Sequence, residues 1–163
     1  MRIIGIDPGS RYTGYGIIEK EGQQLTHLAS GRINATAGDT FAHRLAIIYQ
    51  GLQEVLAEWP AQAAAVETIF TAHNVQSTIK LGQARGVALV ALHHVDLDIF
   101  EYSPLKIKKN VTGRGRATKD QINEMIKLRL ELRCRLSEDA ADALAVAVCH
   151  SQSIGFDKRL TKA

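Results

Sequence analysis

Four carboxylates stand where a chain rarely places one without a purpose. Asp7 directly follows the apolar run Ile3-Ile4-Gly5-Ile6, and Glu67 directly follows Ala63-Ala64-Ala65-Val66. Asp139 and Asp142 are three residues apart in the Ala-rich stretch Asp139-Ala140-Ala141-Asp142-Ala143-Leu144-Ala145. On a helix that spacing puts both on nearly the same face. Singly, each has an ordinary explanation: a turn start for Asp7, a solvated strand end for Glu67, a favourable helix N-terminal charge for Asp139 and a surface charge for Asp142. Together, four acids at three element ends suggest one cluster. Such a cluster repels itself unless cations compensate it, and hard divalent ions with oxygen ligands do so. Two such ions about 4 Å apart suit phosphodiester hydrolysis, one activating water and the other stabilising the leaving oxygen. Mg²⁺ is the expected cofactor, two ions per site, with Mn²⁺ able to substitute. Cys134 and Cys149 have no metal-binding spacing, which disfavours zinc. They read as buried, unpaired thiols.

The elements that must position these acids can be read along the chain. Arg2 to Asp7 is a buried strand, broken by Pro8-Gly9-Ser10. Tyr12 to Glu19 is a second strand, Lys20-Glu21-Gly22 a hairpin turn and Gln24 to Asn34 a third strand. From about Thr40 to Trp59, Phe41, Leu45, Ile48, Leu52 and Val55 recur at three and four residues, an amphipathic helix. Asp39 or Thr40 can cap it and Pro60 closes it. Ala63 to Glu67 is a fourth strand, about Asn74 to His93 a helix rich in small residues, and Asp98 to Tyr102 a fifth strand. Ser103-Pro104 opens another helix with proline in its first position. Thr118 with Gln121 is a capping-box signal, and Ser137 opens the last helix. This pattern predicts a single mixed α/β domain over residues 1–163, with little order after about residue 152. If strands one and four are neighbours, Asp7 and Glu67 emerge at the same sheet edge.

Charge points to a polyanionic partner. The chain has a net charge of +3, yet residues 105–135 hold ten Lys/Arg against three acids, a local +7, leaving −4 for the rest. A basic segment on an acidic body suits nucleic acid, and Gly113-Arg114-Gly115-Arg116 is its exposed basic loop. No stretch is long and apolar enough to span a bilayer, and the N-terminus lacks the features of a signal peptide. A cytoplasmic location is expected.

The stretch Gly5-Ile6-Asp7-Pro8-Gly9-Ser10-Arg11-Tyr12-Thr13-Gly14-Tyr15-Gly16 closely resembles the opening of the RuvC family, the bacterial Holliday junction resolvases. So do Glu67-Thr68-Ile69-Phe70, Leu81-Gly82-Gln83-Ala84-Arg85-Gly86-Val87-Ala88 and the Asp139 to Ala145 segment. The resemblance spans nearly the whole chain. It implies a ribonuclease H-like fold: a five-stranded mixed sheet, with an antiparallel meander of strands one to three and then parallel strands four and five, flanked by helices. It implies a homodimer that nicks two like-polarity strands of a four-way DNA junction during recombination and repair. The RuvA and RuvB branch-migration proteins are its implied partners. The family's metal-binding acids fall on Asp7, Glu67, Asp139 and Asp142. Its two catalytic lysines fall on Lys108 and Lys119, and its base-stacking aromatic on Phe70. His73, Asn74, Arg114 and Arg116 complete the expected DNA contacts. His73 departs from the family, which often has a permanently charged residue there.

Three other readings compete. A nucleotide-binding phosphotransferase of the actin and sugar-kinase type shares the fold but needs two such domains. A generic ribonuclease H lacks the features around Phe70 and Gly82 to Gly86. A non-catalytic DNA-binding module would have no use for all four acids.

Overall fold

The computed structural model describes residues 1–69, 74–133 and 135–160. Three strands, β1 (Arg2–Asp7), β2 (Tyr12–Glu21) and β3 (Gln24–Asn34), form the antiparallel meander. Lys20 and Glu21 remain within β2. The turn therefore lies one step later than expected, at Gly22–Gln23, where Gly22 adopts a positive φ of 58° that favours glycine. Helix α1 (Phe41–Glu58) then crosses to β4 (Ala63–Glu67), and α2 (Val75–His93) to β5 (Asp98–Tyr102). β4 runs parallel to β1, and β5 parallel to β4. The sheet order is β3-β2-β1-β4-β5. Helices α3 (Pro104–Thr112), α4 (Lys119–Arg129) and α5 (Glu138–Leu160) complete the chain.

The caps read from sequence are in place. Thr40 accepts from the His43 backbone N–H, and Ser103 from that of Lys106 ahead of a proline in the first turn. Thr118 and Gln121 form a reciprocal capping box. Ser137 Oγ accepts from the Ala140 N–H at 3.3 Å, opening α5.

Strand alternation sorts the sheet into two cores. Ile4, Ile6, Ile17, Ala64 and Val66 pack with α1 and α2. Ile3, Ile18, Ala65 and Tyr102 pack with α3, α4 and α5. The meander contains one irregularity. Ile17 pairs with Ala29 whereas Ile18 pairs with His27, so Leu28 is an extra residue, a β-bulge. Cys149 is a buried free thiol whose burial pushes its pKa up to about 11. Cys134 lies outside the described residues.

Candidate active site

Asp7 and Glu67 come together because β1 and β4 are parallel neighbours. Ile6 pairs with Val66, so the next residues, Asp7 and Glu67, leave the sheet side by side. By alternation both share the face of Gly5 and Ala65, the face that α5 covers.

Three glycines bring α5 directly onto that face. A Cβ on Gly14 would stand 2.1 Å from the Asp139 carbonyl oxygen. On Gly5 it would stand 2.1 Å from the Ala143 carbonyl oxygen, and on Gly16 2.7 Å from Leu144 Cδ2. Gly14 also pairs with Asp7 across the β1–β2 ladder. The first turn of α5 is thereby laid over the strand end that carries Asp7. One turn on, Asp142 enters a cavity of about 280 Å³ that it lines with Asp7, Glu67, Lys108 and Lys119. Pro104 and Ile107 of α3, Ile122 of α4 and Ala145 of α5 supply its apolar wall.

The electrostatics are those of crowded acids in a partly dry site. Burial is the largest cause raising the Asp7 pKa, followed by the charges of Glu67 and Asp142, which together push it to about 8. A side-chain hydrogen bond joins Asp7 and Glu67, raising the former and lowering the latter. Glu67 is nevertheless raised, mainly by burial and then by Asp142, with Lys108 and Lys119 opposing. Asp142 is raised by burial, with Lys119 opposing. Lys119 is raised first by its hydrogen bond to Glu138 and then by Asp142, whose Oδ2 lies 3.6 Å from its Nζ.

Five of the six expected catalytic residues therefore line one cavity. Asp139 does not: its Oδ2 faces Arg32 Nη1 of β3 at 3.6 Å. Among the described residues, no group of three His, Cys, Asp or Glu side chains is spaced to hold a metal ion. The donor chemistry nonetheless fits a hard cation. All donors are carboxylate oxygens, and three of them are crowded into repulsion that a divalent ion would relieve. Arg114 and Arg116 are exposed and lie outside the cavity wall. Asn74 caps α2, its Oδ1 accepting from the Ser77 N–H at 3.2 Å. Phe70 and His73 lie outside the described residues. Sequence reasoning missed Arg32 and Glu138, each an ion-pair partner of a candidate site residue.

Residues 3–150 match the family model for crossover junction endodeoxyribonuclease RuvC. The chain belongs to the RuvC family. A RuvC from Geobacter metallireducens is 52% identical over 156 residues, covering 96% of this chain and 95% of that one. One from Geobacter sulfurreducens is 51% identical over 94% of this chain and 93% of its own. The solved structure of Thermus thermophilus RuvC in complex with a Holliday junction substrate superposes with a TM-score of 0.90, at 28% identity and 96% coverage of both chains. The yeast mitochondrial Holliday junction resolvase Ydc2 shares the fold, with a TM-score of 0.69 at 13% identity. The five-stranded mixed sheet is the ribonuclease H-like fold that the sequence implied. Among the described residues no helix is long and apolar enough to cross a membrane.

Proposed function

We propose that this RuvC-family chain resolves four-way DNA junctions as a homodimer in the bacterial cytoplasm, by metal-dependent hydrolysis of one phosphodiester in each of two like-polarity strands. The observation that carries the reading is the cavity in which Asp7, Glu67 and Asp142 meet Lys108 and Lys119. The T. thermophilus relative captured with a Holliday junction supports the substrate. Asp7, Glu67, Asp139 and Asp142 would hold the divalent ions, Mg²⁺ with Mn²⁺ as a substitute. When bound, these ions supply Lewis acidity at the phosphate and lower the pKa of the attacking water.

The chain's own residues do the rest. Lys108 and Lys119 place positive charge where the transition-state phosphate accumulates negative charge. Glu138 holds Lys119 by an ion pair, which keeps its ammonium at the rim. The walls from Pro104, Ile107 and Ile122 lower the local dielectric, so each charge interaction is stronger there than in open solvent. The basic loop at Arg114 and Arg116 would hold the DNA backbone. Phe70, with His73 and Asn74 following it in the sequence, would meet bases opened at the crossover. Family membership points to RuvA and RuvB as partners in branch migration.

The α2 helix supports the dimer. Val75, Ile79 and Val90 are 72%, 55% and 60% exposed, and they lie with Gly86 along one side of the helix. An apolar stripe of this kind suits a two-fold contact.

The test compares a synthetic four-way junction with a linear duplex and an RNA–DNA hybrid, with and without Mg²⁺. The junction should be nicked at two symmetric positions, and only with the metal. Asp7→Asn should keep junction binding and lose nicking by at least about a hundredfold. Cleavage by that variant at the wild-type rate would remove Asp7 from the metal site. Cutting of the hybrid in place of the junction would favour a ribonuclease.

A further inference from the structure

Asp139 and Asp142 of α5 each stand against a cation supplied by another element. Asp142 faces Lys119, and Asp139 faces Arg32, with an N–O separation of 3.6 Å in both pairs. Arg32 reaches Asp139 because of how β3 is registered. It pairs with Gly14 across the β2–β3 ladder, and Gly14 lies directly beneath the backbone of Asp139. With no side chain at Gly14, the way from Arg32 to the carboxylate is open. The guanidinium is also steadied from behind, 4.4 Å from the centre of the Tyr12 ring.

We propose that Arg32 is a positioning residue, a built-in counter-ion that draws the Asp139 carboxylate toward β3 and competes with the divalent cation for it. The proposal rests on the metal-dependent reading above. Three observations support it. Asp7, Glu67 and Asp142 share one cavity while Asp139 does not line it. As placed, no three acids among the described residues are spaced for one ion. The Arg32 side chain is 49% exposed and that of Asp139 27%, so the pair is solvent-screened and weak enough to yield to a divalent ion. A metal that recruits Asp139 must displace Arg32 from it. The observed affinity is then the intrinsic affinity reduced by the fraction of time Asp139 is free.

The test is Mn²⁺ binding to the DNA-free protein, followed by the electron paramagnetic resonance signal of free Mn²⁺. Arg32→Gln should bind Mn²⁺ about fivefold more tightly, and Arg32→Lys, which keeps the charge, should stay close to wild type. In an Asp139→Asn background the Arg32→Gln gain should shrink. Melting midpoints and junction binding in EDTA accompany each titration. Unchanged or weaker Mn²⁺ binding by a folded Arg32→Gln overturns the proposal, as does an equal gain in the Asp139→Asn background. Loss of metal-free junction binding with Mn²⁺ affinity unchanged also overturns it, making Arg32 a phosphate contact. A wild-type protein that binds no Mn²⁺ overturns both this proposal and the metal reading beneath it. Wild-type binding with an inert Arg32→Gln overturns this one alone.

Discussion

His150 is fully packed and sits far along α5 from the acids. Its Nδ1 is 2.7 Å from the Tyr102 hydroxyl, its ring stacks on Phe100 at 4.3 Å, and it is only 1% exposed. Its Nε2 has no hydrogen-bond partner among the described residues. Burial lowers its pKa from the ordinary 6.5 to about 4. Between about pH 6.5 and pH 4 the unfolded chain binds a proton at this position and the folded chain does not, so acid favours unfolding. A shift of this size corresponds to about 3 kcal/mol, present above the unfolded value and fully lost below about pH 4. Urea denaturation at pH 7 and pH 4.5 should show the loss. His150→Gln should flatten that part of the profile, and an unchanged slope would mean that the imidazole binds its proton equally well in the folded and unfolded chain.

At the scale of elements, the seam between α5 and the sheet decides where the candidate acids stand. Gly14→Ala places a methyl against a backbone carbonyl oxygen, which cannot swing aside as a side chain would. The first turn of α5 must lift instead. A displacement of about 1 Å at a reacting centre can cost about a hundredfold in rate, and overpacking of this kind costs about 1–3 kcal/mol. Steady-state nicking and thermal melting of Gly14→Ala should therefore both fall. A variant with wild-type nicking would show that the seam has slack. The elements themselves were legible, because caps and periodicity are local properties: Thr40, Ser103, Thr118 with Gln121, and Ser137 all mark real helix starts. Asp7 and Glu67 were legible too, since each ends an apolar run and parallel pairing follows from a helical crossover. Arg32 was not legible. Counted from the hairpin turn without a bulge, it falls opposite Thr13 and on the other face; the extra residue at Leu28 moves it opposite Gly14. Glu138 was hidden for another reason. An acid in the first turn of a helix already has a sufficient local explanation, and its ion pair with Lys119 depends on where α4 packs.

For the whole molecule, the two sides of the sheet divide the labour. The α3–α4–α5 side carries the acids and the lysines, and the α1–α2 side offers the apolar stripe of α2. A Cβ added to Gly86 meets nothing within 4 Å. Gly86→Leu should therefore leave the folded chain at least as stable, since replacing a mid-helix glycine recovers up to about 1 kcal/mol of helix propensity. It should nonetheless block the close approach of a second copy. Sedimentation velocity should then report a monomer, and the two nicks on a junction should lose their pairing. A Gly86→Leu protein that stays dimeric would move the two-fold contact off this stripe. The bulge at Leu28 has a further consequence for the rest of the hairpin. It separates the register of the distal half, from Ile18 to His27, from that of the half that carries Arg32. Sequence grafted at the exposed Gly22–Gln23 tip should leave the half that carries Arg32 in frame. Deleting Leu28 alone should remove the bulge and leave every pair on both sides of it intact, so Arg32 should still oppose Gly14 in a ladder that has lost only its local kink and extra twist.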